Sequence, residues 1–403
     1  MSKLSERIKS EIAGRVVTWS MKNWERGERG DEVINTENAR NVYNLYTTEF
    51  AQLTSANVKF YLEAKRRGLG WFAYVLFKEI KRRDLHIGGV CQTRKLSVCG
   101  KHDLTNAGEY IECEDEAMKE FVIDALKGCD IVGFSADCTD SSLEGVANFE
   151  INWAAKEGKV IIEKIKRIPN ELLYYDDTQD KYYFLAKDSM DVFKLRTAAT
   201  VLGEEDRVSL KDLSVVEVPK EKLLEVHSLD GDSPNGMLNG CVDGLVWAHL
   251  FKGYVLKDLH VFIELFAIPA IIGKYDPLMS KEDKKKFSDA IKNFGNHFRM
   301  TVPKDADVSF VTDGNKGTAA DIFHQTLGYW DNKISIRVLG QTLTTELGKN
   351  GSFAAAKTHN TVREDLLRAD ITVFQRAMNE LIKKVCDMNF DMICDRTCDI
   401  INI

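Results

Sequence analysis

From Cys241 to Phe266 the chain reads as one helix that is apolar around almost its whole circumference. Leu245, Val246, Trp247, Leu250, Phe251, Tyr254, Val255, Leu259, Phe262, Ile263 and Phe266 do not gather into a single stripe. A helix apolar on every side has to be covered on every side. In a chain of 403 residues this points to neighbouring subunits as well as an internal core. A bilayer is not the expected cover. The longest apolar run, Val261 to Ile272, contains Glu264 and Pro269 and is shorter than the roughly 20 residues that a membrane helix needs. Pro269 ends the helix, because it has no amide hydrogen and its ring clashes with the preceding turn.

A second constraint lies between Val338 and Phe390. A polar loop, Thr342 to Thr361, runs into a long helix expected over Val362 to Asn389. Thr361 and Glu364 have the spacing of a capping box. Leu366, Ala369, Val373, Ala377 and Leu381 form one stripe, and Leu367, Ile371, Phe374, Met378, Ile382 and Val385 adjoin it. Together they predict a wide buried face. Gly348 and Gly351, with the small residues Ser352 and Ala354 to Ala356, predict a pliable loop.

The half before the apolar helix mixes helix and strand. Helical spacing covers Asn38 to Gly68, Trp71 to Asp84, Asp115 to Gly128 and Cys138 to Val146. The stretch from His86 to Gly100 reads as β-like. Phe149 to Trp153 alternates apolar and polar residues, the pattern of a half-buried strand. Lys156 to Lys159 is a turn, and Val160 to Ile168 returns as a second strand. Tyr174-Tyr175 and Tyr182 to Leu185 make a hairpin, and Lys222 to His227 a further short strand. The pairing is expected to be antiparallel. Asp230 to Gly240, rich in Gly, Asn and Pro, marks a change of character. Beyond the apolar helix come a strand (Ala270 to Lys274), a basic helix (Lys281 to Phe294), a strand (Val308 to Thr312) and a helix (Thr318 to Gly340). Asp391 to Ile403 shows no clear fold. The first 30 residues read as a short charged helix and a Gly/Arg-rich connection, without the apolar stretch of a secretory signal.

Little in the chain points to catalysis. Gly314 to Thr318 and Gly348 to Ser352 are rich in Gly and Lys but lack the spacing of a phosphate-binding loop. HExxH, GxSxG and paired-histidine metal spacings are missing. His260 and Glu264 would be half of a metal site, with no second pair beside them. Asp137, Asp140 and Glu144 read as a solvated helix start, where carboxylates are favoured. Arg83, His86, Arg94 and His102 read as surface polar residues, or as the site of an enzyme of unknown type. Nine cysteines occur with no CxxC pair, the pattern of reduced thiols. We therefore expect no cofactor and no metal. The net charge of −7 is not that of a protein that clamps DNA by its phosphates.

Three stretches resemble the portal proteins of Mu-like tailed phages, or of prophage-derived particles. Trp247 to Tyr275 (WAHLFKGYVLKDLHVFIELFAIPAIIGKY) is similar to the family's stem helix running into its clip. Phe149 to Trp153 (FEINW) resembles the wing strand. Thr361 to Asn389, opening TVREDLLRAD, resembles the long helix that follows the tunnel loop. The resemblance covers about Phe72 to Phe390.

It implies an α+β phage portal fold: an N-terminal arm (1–35), an α/β wing (36–240), a stem helix (241–267), a small α/β clip (268–313), a second stem helix (314–340), a tunnel loop (341–361), a long spine helix (362–390) and a short tail (391–403) with a reduced or absent crown. It also implies a non-enzymatic homo-oligomeric ring, commonly a dodecamer, at one capsid vertex. Double-stranded DNA would be packaged and ejected through it. The partners implied are the terminase large subunit, the head–tail connector and the major capsid protein, with assembly in the bacterial cytoplasm and no membrane. Lys349, Asn350, Lys357 and His359 would touch DNA transiently. Trp247, Phe251, Tyr254 and Phe262 would lie at subunit interfaces. Lys281, Lys284, Lys285 and Lys292 would dock partners, although a solvated helix face explains those lysines equally. Without the resemblance, a cytosolic α+β enzyme or a protein-binding adaptor remains open.

Overall fold

The computed structural model describes residues 53–99, 111–113, 115–156, 158–186, 191–200, 213–229, 231–263, 271–276, 278–292, 299–303, 316–342, 353–389 and 398–400. The chain divides into two compact units, one of residues 1–247 with 334–403 and one of residues 248–333.

The first unit begins with α1 (Ser55–Arg66), α2 (Trp71–Arg83) and α3 (Leu85–Cys99). The third helix corrects the β-like reading of this stretch. Asp84 accepts hydrogen bonds from the amides of His86 (3.0 Å) and Ile87 (3.1 Å), which starts a helix. Ile87, Val90, Cys91 and Val98 then form its buried face. Gly88 allows close packing, since a Cβ there would lie 2.3 Å from the carbonyl oxygen of Lys81 in α2.

Next come β1 (Ile111–Cys113), α4 (Glu116–Leu126) and α5 (Ile131–Glu144). The fifth helix starts well before the expected Cys138, because Asp130 caps the amide of Gly133 at 2.9 Å. Strands β2 (Val146–Lys156), β3 (Lys159–Ile168) and β7 (Leu223–His227) form an antiparallel sheet in the order β3-β2-β7. The sequence alternation predicts a strand with one face in solvent. Instead the first eight residues of β2 are all buried, including Asn148, Glu150 and Asn152 on its polar face. A second small sheet joins β4 (Leu173–Asp176), β5 (Lys181–Leu185) and β6 (Val215–Val216), and α6 (Val192–Thr200) lies between β5 and β6 in sequence.

The core of this unit is built on α10 (Phe353–Asn389). Phe374, Leu381, Ile382 and Val385 pack with Phe121, Phe134, Phe149, Ile151 and Leu224. Phe134 lies 4.8 Å from Phe149 and 6.0 Å from Phe374 between ring centroids. At the helix end, Asn389 accepts from the Val160 amide (2.7 Å) and donates to the Val160 carbonyl (2.8 Å), tying α10 to β3. The helix starts nine residues before the expected Val362. Ala354, Ala355, Ala356 and Lys357 are strong helix formers and extend it upstream. Thr361 and Glu364 therefore sit inside a helix, and the expected capping box does not form. The tail is not featureless either, since β10 (Cys398–Ile400) pairs antiparallel with β1.

Two long helices run from one unit into the other: α7 (Val242–Phe262) leaves the first unit and α9 (Lys316–Leu339) re-enters it. Within the second unit Phe251 stacks on Trp330 (5.6 Å), Phe262 meets Phe323 (5.6 Å), and Lys252 pairs with Asp331 at 2.7 Å. The unit also holds β8 (Ile271–Tyr275), α8 (Lys281–Lys292) and β9 (Arg299–Pro303). The two strands are parallel, which requires a crossover, and the connecting segment contains α8. The partner of β8 is thus Arg299–Pro303, a stretch that the sequence reading left unassigned. The expected strand Val308 to Thr312 lies outside the described residues. No described helix is long and apolar enough to cross a membrane, and no described cluster of His, Cys, Asp or Glu is arranged to hold a metal.

Candidate functional site

One buried node joins the end of α9 to α10. Arg94 donates from Nε and Nη2 to the two carboxylate oxygens of Asp370, each at 2.9 Å. Its Nη1 donates to the carbonyl of Val338 at 3.1 Å. Ser142 donates to Asp370 at 2.7 Å. One guanidinium thus joins the last turn before the loop to the helix after it. The Asp370 side chain is 1% exposed and that of Arg94 12%. A fork of parallel N–H bonds on a carboxylate is among the stronger and more directional protein contacts.

The chain leaves α9 through Gly340, whose φ of +72° lies in the left-handed region. A Cβ there would come within 2.9 Å of both Leu366 and Val362 on α10. His86 adds a further tie through Nε2 to Ser335 Oγ at 2.8 Å. Sequence reading missed this node. A signal was present: Asp370 falls inside the apolar stripe of α10, where a lone carboxylate needs a partner.

Arg94 and His86 are therefore parts of the packing and not surface residues. Arg83 lies apart from them, paired with Glu79 at 3.2 Å. His102 lies outside the described residues. The carboxylates of α5 also depart from the solvated helix start expected for them. Asp137 and Asp140 both accept from Lys95 at 2.8 Å, and Asp140 is largely buried. Glu144 accepts from Lys81 (2.7 Å) and from Asn170 (2.8 Å). Burial alone would raise the Glu144 carboxyl, but Lys81 and Arg167 hold it below its usual value. Asp140 is shifted upward, by burial first and then by the charge of Glu144. These pairs join α2, α3 and α5.

The four loop residues proposed from sequence fall in two places. Lys349 and Asn350 lie outside the described residues. Lys357 and His359 belong to α10 and not to a loop, because the helix already runs from Phe353. The stem residues are clearer. Trp247, in the first unit, is half-buried. Further along, α7 is not covered on every side within one chain. Phe251 is 40% exposed, Tyr254 43% and Val261 46%. Phe262 is half-buried against Phe323. On α9 of the same unit Ile322 is 58% exposed and Tyr329 53%. In the basic helix α8, Lys281 and Lys285 are exposed, Lys284 lies 5.0 Å from the ring of Tyr275, and Lys292 ends the helix. Glu282, Asp283 and Asp289 share that helix, so its charge is mixed.

A family profile described as "Portal protein of Mu bacteriophage" matches residues 74–396. The chain belongs to the Mu portal protein family. It is 30% identical over 328 residues to the "Portal protein" of Escherichia phage Mu, covering 79% of this chain and 56% of that protein. It is 23% identical over 328 residues to the "Mu-like prophage FluMu protein gp29" of Haemophilus influenzae, covering 79% of this chain and 57% of the relative. The chain spans little more than half the length of these curated relatives. The family match begins inside α2 and ends beyond α10, so the Arg94–Asp370 node, both long helices and the 248–333 unit all lie within the portal-family region.

Proposed function

We propose that the chain assembles into a closed ring, of about twelve subunits, at one vertex of a phage or phage-derived capsid, and that double-stranded DNA enters and leaves through its centre. Membership of the Mu portal family supports this reading. The observation that carries it is the set of large apolar side chains left open on more than one side of α7 and on α9 in the second unit. Phe251, Tyr254, Leu256, Val261 and Ile263 need a partner surface, and a cyclic array of identical chains supplies one without an unpaired end.

In this reading 241–267 and 314–340 are the stem helices, 268–313 is the clip that docks the terminase large subunit and later the head–tail connector, and 36–240 form the wing. The acidic balance of the chain would keep phosphates from sticking to the channel wall. Lys349, Asn350, Lys357 and His359, at the loop and the start of α10, would supply a few transient phosphate contacts, sequence-independent and salt-sensitive.

The test is packaging. Particles built with residues 343–352 deleted should assemble but lose packaged DNA, and Lys349→Glu with Lys357→Glu should act in the same direction. Wild-type genome retention in both would overturn the loop's role. Loss of assembly after the deletion would make these residues part of the packing and would also overturn that role.

A further inference from the structure

Strand register sets two cysteines opposite each other in the first unit. In the antiparallel pair β1–β10, Ile111 stands opposite Ile400, Glu112 opposite Asp399 and Cys113 opposite Cys398. Residues directly opposite in such a pair have Cα atoms about 4.5 or 5.5 Å apart, depending on whether they exchange backbone hydrogen bonds. Both spacings fall within the roughly 4.4–6.8 Å that a disulfide spans. Successive residues of a strand alternate between faces, so Cys113 shares the face of Ile111 and Cys398 that of Ile400. Ile111 is fully buried, which makes this the core side of the ladder.

By itself the ladder is weak. Three residue pairs make a marginal two-stranded sheet. Its middle pair sets two carboxylates, Glu112 and Asp399, at opposite positions, which is unfavourable. The two strands lie at distant points of the sequence, with α10 and most of the chain between them. A covalent tie across so long a loop removes much of the freedom of the unpaired chain.

Several other thiols are poor competitors for such a tie. Burial pushes Cys129 and Cys386 up to about 11 and Cys91 to about 12, and the thiolate is the reactive form. Cys394 lies outside the described residues and is the nearest rival in sequence. The family match ends at residue 396, so Cys398 falls beyond it and the pair is a property of this chain.

We propose that Cys113 and Cys398 form a reversible disulfide that locks β10 onto β1, with a low-molecular-weight disulfide such as oxidised glutathione as the oxidant. One cysteine thiolate attacks the glutathione disulfide and releases one glutathione thiol. The other thiolate attacks the protein sulfur of the mixed disulfide and releases the second. Two electrons pass from the protein sulfurs to glutathione, and the two protons go to the released thiols. A reducing cytosol holds such a pair open, and an oxidising exterior lets it close. As part of a capsid, the chain would therefore assemble with β10 untied and lock it after release from the cell. This timing rests on the function proposed above, whereas the disulfide itself does not.

The experiment equilibrates the full chain in reduced or oxidised glutathione, blocks free thiols by alkylation and digests with trypsin. Cleavage after Lys101, Lys119 and Arg396 leaves Cys113 alone in residues 102–119 and Cys398 alone in 397–403, with Cys394 on a separate peptide. After oxidation, mass spectrometry should find these two peptides linked in at least about tenfold excess over any other cysteine pair, the advantage of thiols held in position. Hydrogen–deuterium exchange across β10 should slow on oxidation and recover on reduction. Cys398→Ser should abolish both changes, and Cys394→Ser neither. Glu112→Lys replaces a like-charge pair with an opposite one, so it should slow exchange across β10 in the reduced chain. Preferential linkage of Cys113 to Cys394 would overturn the proposal. So would linkage no more frequent than that of other pairs, or unchanged exchange across β10 once the link has formed. Ring assembly enters none of these measurements, so a chain that forms no ring would leave them standing.

Discussion

The surroundings of α10 in the first unit and the paired segments of α7 and α9 in the second solve the same problem in opposite ways. Both are long helices rich in apolar residues. Around the body of α10, from Leu367 to Val385, the chain supplies the cover of the apolar face itself: sheet β3-β2-β7, helices α4 and α5, and a buried Arg94–Asp370 pair where a charge enters the apolar stripe. In the second unit two helices cover each other along one line only, through Phe251 on Trp330 and Phe262 on Phe323. Their other sides keep Tyr254, Val261, Ile322 and Tyr329 in the open. The first arrangement closes within one subunit, and in the proposed ring the second is covered by further chains. Apolar content alone does not separate the two. What separates them is how much of the apolar surface is covered inside the same chain.

The largest expected effect falls on the self-covered region. Arg94→Met leaves Asp370 buried and charged, and should lower the stability of the subunit by roughly 3–5 kcal/mol in chemical denaturation. Arg94→Met with Asp370→Leu should recover part of that loss, because an apolar pair no longer strands a charge. An Arg94→Met subunit as stable as the parent would break the comparison. Gly340→Ala comes next. It forces an alanine into the left-handed region against Leu366 and Val362, and should cost about 1–2 kcal/mol by the same measurement.

The pH dependence gives a third test. Glu144 is held below its usual value in the folded state, so its contribution is complete above the ordinary glutamate range. That contribution is lost as the pH falls through the lower folded value. Asp140, shifted upward, acts in the opposite sense and partly offsets it. Glu144→Gln should flatten the acid limb of a stability–pH profile, and an unchanged limb would remove Glu144 from the account. The smallest effect is expected from Thr361→Val. Thr361 lies within α10 and not at its start, so its replacement should change stability by no more than about 0.5 kcal/mol. A loss on the scale of a missing helix cap, about 1 kcal/mol, would restore the helix start to Val362.

Much of the fold is legible in the sequence wherever period and turn chemistry agree. The β2–β3 pair, the tyrosine hairpin and the body of α10 fall where their patterns place them. The misses share a cause. α3 carries a Gly-Gly pair and β-branched residues that locally favour strand, yet close packing on α2 at Gly88 and the cap from Asp84 make it a helix. The upstream turns of α10 were hidden because alanines read as small and pliable also have the highest helix propensity. The carboxylates of α5 looked solvated because their partners Lys81, Lys95 and Arg167 lie far away in sequence. Of the candidate site, the all-round apolar make-up of α7 is legible in its composition. The Arg94–Asp370 node is not, because it joins residues 276 positions apart.

The central claim is that the open faces of α7 and α9 are covered by neighbouring copies in a closed ring. Native mass spectrometry of the purified chain beside Phe251→Asp tests it most directly. Twelve copies of a 45.6 kDa chain come to about 0.55 MDa, and the parent should appear near that mass as one closed species. Phe251 is 40% exposed but also stacks on Trp330, so the variant is compared with the parent by circular dichroism, and with a parent-like spectrum it should run as free subunits. A parent that stays monomeric to tetrameric, or a Phe251→Asp variant that still forms the full ring, would contradict the account.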